Sequence, residues 1–387
     1  MKRAVFSAIS IILSFALFTG VCFADGSVAA STSSPTLEVT ADKYVIMEIS
    51  SGDFLAGENA QDKFPASHFT KLMTVLLVSD EIDKGKLSLD DTVTVSELAN
   101  AQQGAQIWLD KGEKIAVSEL LKAVTIGNAN DACVALFQTL DQSEDKFVAR
   151  MNKKARQLGM ADTHYADATG LNENSVTTAQ DTAILCAELS KKDYLIGYFT
   201  TWRDFVRGGK TELVNTNTLV KSYDGITGMK NCISAKDINM TAVTATRGDM
   251  SLACVAVGSA SDESCTDDAQ NMLDYGFTAF EIYIPEIDKE LLKSIKVTHG
   301  ESEKVKVTVS KSLRVAIKRG TSADLTVSAS RKKSIEAPFS KGRSVGTITV
   351  KNGKNTVLDS KIIVCCDVEK MGVRCAFTKL LKALFEL

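Results

Sequence analysis

Apolar residues recur along this chain with two periods, and the switches between them outline the elements. From Tyr44 to Leu55 the run Tyr-Val-Ile-Met-Glu-Ile-Ser-Ser-Gly-Asp-Phe-Leu predicts two strands around a Ser51-Gly52-Asp53 turn. Met240 to Val257 predicts a second strand pair, joined at Arg247-Gly248-Asp249. Between them the helical period takes over. Leu72 to Ile82 is an apolar helical run ended near Gly85, and Ser118 to Leu140 is another, interrupted at residues 127–131. Phe147 to Leu158 and Thr178 to Leu189 predict amphipathic helices. Past Ile284-Pro285 the pattern changes to short alternating runs split by polar turns, such as Val305-Lys-Val-Thr-Val and Gly346-Thr-Ile-Thr-Val, which predicts a small all-β domain. At the end, Phe377, Leu380, Leu381 and Leu384 share one helical face beside Lys370, Arg374, Lys379 and Lys382. That stripe predicts an amphipathic helix over 370–387, suited either to an anionic membrane surface or to docking on the β-domain.

The N-terminus has a different logic. Lys2 and Arg3 precede an apolar run from Ala4 to about Val21, followed by Cys22-Phe23-Ala24. This is the layout of a secretory signal peptide over residues 1–24, with cleavage expected after Ala24. Val21 is bulky for lipoprotein processing at Cys22. Residues 25–37, rich in Ser, Thr and Ala, read as a linker. The chain therefore divides into a domain over 38–285, a β-domain over 290–366 and the tail.

Composition adds limits. The 387 residues are 44% hydrophobic and 24% charged, ordinary for a globular protein of two or three domains. The formal net charge of −3 gives no reason to expect a nucleic-acid partner. Eight of the nine cysteines follow residue 24, without Cys-x-x-Cys spacing, and the three histidines are scattered. Buried small hydrophobes are expected there, and neither a metal site nor a cofactor.

The candidate chemistry lies in Pro65-Ala-Ser-His-Phe-Thr-Lys-Leu-Met-Thr. A serine three residues before a lysine at a helix start is a nucleophile-and-base arrangement, but Ser67 and Lys71 are four apart and His68 holds the counted position. A one-residue slip turns a helical side chain by ~100°. Two outcomes follow: Ser67 reaches Lys71 from a loop before the helix, or it serves as an N-cap. Further on stand Asn128-Ala129-Asn130, in a polar turn between helical runs, and Asp224-Gly225-Ile226-Thr227-Gly228.

Together these segments resemble the low-molecular-weight penicillin-binding proteins, the serine-type D-Ala-D-Ala carboxypeptidases. The resemblance also rests on Tyr44 to Gly52, Leu120-Leu-Lys-Ala, Asn130-Asp-Ala-Cys-Val-Ala-Leu, Met151-Asn-Lys-Lys-Ala, Leu158-Gly-Met, Thr163-His-Tyr, Thr169-Gly-Leu, Asn215-Thr-Asn, Ser222-Tyr-Asp-Gly-Ile-Thr-Gly and Ala337-Pro-Phe-Ser-Lys-Gly. It implies an α+β chain: a β-lactamase/transpeptidase-like domain with an antiparallel sheet flanked by helices, a small β-sandwich, and the amphipathic tail helix. It implies an exported protein acting on peptidoglycan stem peptides, with β-lactams as ligands and peripheral membrane contact. Carried over residue by residue, the family's catalytic roles fall on Ser67, Lys71 and Asn128, and its substrate-binding roles on Asn130, Thr227 and Gly228.

The departures are as informative. Ser-x-x-Lys is stretched, Ser-x-Asn has Asn128 for its serine, and Lys-Thr-Gly has lost its lysine before Thr227-Gly228, with Lys230 on the wrong side of that pair. The arginine that grips the peptide's terminal carboxylate aligns with Cys265. Two readings stand: a degenerate homologue that binds stem peptides or a cell-wall partner with little or no turnover, and a working carboxypeptidase acylated on Ser67.

Overall fold

The computed structural model describes residues 35–234, 236–373 and 375–377. The expected signal peptide, most of the linker and most of the tail helix lie outside the described residues. Of the tail, residues 373 and 375–377 are helical, and Val373 and Phe377 are exposed. Among the described residues no helix is long and apolar enough to cross a membrane.

The first domain is built on a five-stranded antiparallel sheet. Its strands are β1 (Lys43–Glu48), β2 (Phe54–Glu58), β3 (Ile226–Ile233), β4 (Asn239–Arg247) and β5 (Met250–Ser259), in the order β2-β1-β5-β4-β3. The two strand pairs expected from sequence thus lie side by side, with Tyr44 opposite Ala256 and Ile46 opposite Cys254. Strand alternation makes both faces apolar. Val45 and Met47 join the larger core under the helices, while Ile46 and Cys254 join a second core on the other face.

Helix α1 (Thr70–Asp83) runs through the larger core. It is buried on nearly every side, so its sequence reads as a continuous apolar run without a polar face. Around it pack α2 (Val117–Thr125), α3 (Asn130–Leu140), α4 (Glu144–Leu158) and α5 (Ala179–Leu189). Helix α6 (Asp193–Thr200) lies against β3, and α7 (Asp262–Ala279) covers the opposite face of the sheet. Strand β3 pairs only with β4, so its free edge borders the helical cluster. A cleft forms along that border.

The second domain is all-β, as the alternating runs predict. One sheet joins Ile295–Thr298 to Lys304–Val305 and Ser334–Glu336, and the other joins Val307–Val309, Asn355–Val364, Ser344–Asn352 and Leu325–Arg331. Their shared core includes Val297, Ile335, Ile348 and Ile362. The first domain reaches the second through Phe280–Tyr283, which pairs with Val315–Lys318. Arg314 strengthens the joint by donating to the Asp249 carbonyl at 2.5 Å, and the Ala316 amide donates to the Asp53 carboxylate at 3.1 Å.

Candidate active site

The extra residue before Lys71 is absorbed in the backbone. Residues Ser67–Phe69 form a 3-10 turn and the α-helix starts only at Thr70. Ser67 takes φ +45°, a left-handed conformation uncommon for a residue with a Cβ. Its carbonyl lies against Gly170, where a Cβ would stand 1.8 Å from that oxygen. Ser67 caps neither the 3-10 turn nor the helix with its side chain, so the N-cap expectation is corrected. The helix is instead entered through the tight turn.

This turn leaves His68 three residues before Lys71. The His68 imidazole is largely buried among Lys71, Lys230 and Asn128. Burial first, then the two lysines, push its pKa down to about 3, against a weaker upward pull from Asn128. The ring is neutral at physiological pH, and its Nδ1 is buried without a hydrogen-bond partner.

Lys71 is wholly buried, and burial lowers its pKa from the ordinary lysine value. Its Nζ donates to the Thr169 carbonyl at 2.7 Å. Among the described residues no hydrogen bond joins it to Ser67 or His68. Thr169 belongs to a segment organised by Asp167, whose Oδ2 accepts from the amides of Gly170 at 2.7 Å and Leu171 at 2.8 Å, while Oδ1 accepts from Ser175 Oγ at 2.7 Å. One carboxylate thus satisfies several buried donors and fixes the wall opposite β3.

The turn between α2 and α3 supplies Asn128 and Asn130. Asn128 Oδ1 accepts a short hydrogen bond from Lys230 Nζ. Asn130 is buried; its Nδ2 donates to the Gln103 carbonyl at 2.6 Å, while its Oδ1 has no partner. His68 Nδ1, Thr70 Oγ1 and Asn130 Oδ1 therefore stand unpaired in this region, in surroundings where an unmade hydrogen bond is costly.

Lys230 reaches the site from the sheet. It lies on β3 opposite Ala242 of β4, and its side chain crosses to the helical cluster to reach Asn128 and the Val124 carbonyl, the latter at 3.0 Å. Burial, then Lys71, lowers its pKa to about 7. Thr227 and Gly228 sit apart from this cluster: Thr227 Oγ1 bonds Thr244 Oγ1 at 2.8 Å, and Gly228 backs onto Phe199. Lys230 is thus the β3 lysine whose side chain reaches Asn128. Strand alternation puts Cys232 on the same face as Lys230, while Asn231 points to the other face, toward Thr241 and Thr266. The signal was in the sequence as the strand period across Ile226–Ile233.

Cys265, aligned with the carboxylate-gripping arginine, is buried in the first turns of α7, and burial pushes its thiol up to about 12. Cys133, on α3, donates to the Ala168 carbonyl at 3.2 Å and is pushed by burial up to about 11. Both stay thiols near neutral pH. Among the described residues no cluster of His, Cys, Asp or Glu has the makings of a metal site.

Ser67 and His68 line a cavity of about 200 Å³. Gly170, Leu171, Asn172 and Glu173 form one wall, and Ile233, Ser234 and Lys236 form the other. It is a cleft between a helical cluster and a sheet edge, floored by the first motif.

Sequence comparison matches residues 28–261 to the family described as D-alanyl-D-alanine carboxypeptidase, and residues 286–370 to the C-terminal domain of penicillin-binding protein 5. The chain is 31% identical over 357 residues to D-alanyl-D-alanine carboxypeptidase DacF of Bacillus subtilis, covering 90% of this chain and 92% of that one. It is 29% identical to DacC of Escherichia coli, covering 90% of each. Among solved structures, penicillin-binding protein 5 of Haemophilus influenzae superposes with a TM-score of 0.73 at 24% identity, over 86% of this chain and 98% of that one. Penicillin-binding protein D2 of Listeria monocytogenes, solved with cefotaxime bound, superposes with a TM-score of 0.57 at 25% identity, over 63% of this chain and 99% of that one.

Proposed function

The chain belongs to the D-alanyl-D-alanine carboxypeptidase family, and from that premise we infer that it binds D-Ala-D-Ala-terminated stem peptides in cell-wall metabolism with little or no turnover. The observation that carries this reading is His68. A neutral imidazole occupies the position three residues before Lys71, facing Lys71, Lys230 and Asn128, where the family's chemistry needs an activated hydroxyl.

The binding half of the machinery is better kept than the reacting half. Lys230, buried behind His68 and bonded to Asn128, adds an amino group next to the cleft floor. Asn130 keeps the family's asparagine, with its Oδ1 unpaired beside the cleft. On the reacting side, Lys71 is held by the Thr169 carbonyl. Asn128, unlike a serine, has no hydroxyl with which to relay a proton. Loss of a nucleophile typically costs several powers of ten in rate. A β-lactam, like the peptide, would then occupy the cleft without acylating it.

The rival reading, acylation of Ser67, draws on one fact: Ser67 lines the same cavity as His68. Two measurements on one preparation separate the two. Calorimetry with a D-Ala-D-Ala pentapeptide should show binding, and an assay for free D-alanine should show no release above background. Rapid release would establish the working enzyme.

Two further parts of the reading concern the ends of the chain. Export with cleavage after Ala24 rests on the N-terminal pattern, and the mature N-terminus of protein recovered outside the cell checks it. Membrane contact by residues 370–387 rests on the basic and apolar stripe. Sedimentation with anionic vesicles, lost on deleting that segment, checks it.

A further inference from the structure

The outer end of the cleft carries two charges that none of the motifs explains. Glu173 lies on the wall that Asp167 organises, and Lys236 lies on the turn leaving β3. Both line the cavity floored by Ser67 and His68, and Lys236 Nζ stands 3.1 Å from Glu173 Oε2. The pair therefore links the two walls across the cleft. Their side chains are 57% and 55% exposed, so a ligand can reach both without first being dehydrated.

Each charge is held on a braced segment. On one side the Asp167 carboxylate gathers the amides of residues 169–172. On the other, Ser234 closes the turn: its Oγ accepts from the amides of Lys236 and Ile238, each at 3.2 Å, and its own amide donates to the Ile238 carbonyl at 3.0 Å. The two charges are thus fixed reference points beside the path of any extended ligand whose end rests on the cleft floor.

We propose that Glu173 and Lys236 form a specificity subsite for the stem-peptide residue upstream of the D-Ala-D-Ala end, and that it selects a side chain carrying both an ammonium and a carboxylate. The inference rests on the stem-peptide reading given above. A side chain with one charge can pair with one member only by leaving the other alone. A side chain with both charges exchanges one ion pair for two. An exposed pair is worth little in isolation. A peptide already seated by its terminus presents its side chain at high effective concentration, so the second contact adds little further entropy cost.

The test uses three pentapeptides ending in D-Ala-D-Ala that differ only in their third residue: a diamino dicarboxylic acid with a free ammonium and carboxylate, lysine, and norleucine. Their affinities are measured by calorimetry for the wild-type protein, for the double variant Glu173→Ala/Lys236→Ala, and for the exchange Glu173→Lys/Lys236→Glu. Wild type should bind the doubly charged peptide about fivefold tighter than the norleucine peptide, with the lysine peptide between. The double alanine variant should lose that preference. The exchange variant, which keeps one charge of each sign on the two walls, should retain it. Equal binding of all three peptides by wild type, or a preference that survives the double alanine variant, overturns the subsite alone. A double alanine variant that weakens all three peptides equally assigns the pair a bracing role and overturns the subsite too. Failure of every peptide to bind overturns the stem-peptide reading along with it.

Discussion

Lys230 is buried to 1% exposure among carbonyl groups and the Asn128 amide, with Lys71 as its electrostatic neighbour. Its pKa of about 7 in the folded chain lies far below the ordinary lysine value of 10.5, so the folded state gives up this proton before the unfolded state does. Below pH 7 both states hold the proton, and the folded state bears the full cost of the buried charge. Between about pH 7 and 10.5 the unfolded chain binds more protons, so stability rises with pH, by up to about 1.4 kcal/mol per pH unit for one proton. Urea unfolding between pH 6 and 9 should show that rise in wild type and a shallower one in Lys230→Met. Identical slopes would place the ammonium in a better solvated setting. The contact of Lys230 with Asn128 was hidden from sequence counting, which follows motif spacing and not the strand period. Its position on a strand, three residues past Thr227, fixes which way it faces, and that is a property of β3 and not of the motif.

At the scale of elements, the site depends on a tight contact between the turn before α1 and the segment fixed by Asp167. Gly170, at φ +84°, has no room for a side chain, because a Cβ would meet the Ser67 carbonyl at 1.8 Å. Gly170→Ala combines backbone strain with that clash and should cost about 2–4 kcal/mol and weaken ligand binding. Gly52 has a similar φ of +81° with nothing near its Cβ position, so Gly52→Ala should cost only about 1 kcal/mol. Denaturation midpoints of the two variants check this, and equal losses would show that strain alone is measured. The strands flanking Gly52 and Gly248 and the helices of the cluster follow from hydrophobic period, because each has a face or a core that dictates it. The left-handed Ser67 does not follow from any period. A non-glycine residue adopts that conformation only because its tertiary surroundings, here Gly170 and the buried His68, impose it.

Across the whole molecule, the fold of the carboxypeptidase family surrounds a cleft in which His68 stands three residues before Lys71 and Ser67 four. Relatives such as DacF align over nearly the entire chain, and the sheet, the helical cluster and the C-terminal β-domain are all present. Large cores keep such a scaffold stable independently of a few cleft residues, which is why the fold was readable from sequence while the fate of the chemistry was not. Ser67 and His68 both line the cavity at the start of α1, and their order along the chain does not decide which one a ligand meets. The most direct test is intact-protein mass spectrometry after incubation with benzylpenicillin, run on wild type and on His68→Ser, which restores a hydroxyl three residues before Lys71. Wild type should keep its mass, and His68→Ser should acquire one penicillin on residue 68 at a rate at least ~10-fold above any wild-type background. A wild-type protein that gains one penicillin, mapped to Ser67, would show that the displaced serine still reacts and that His68 does not block the site.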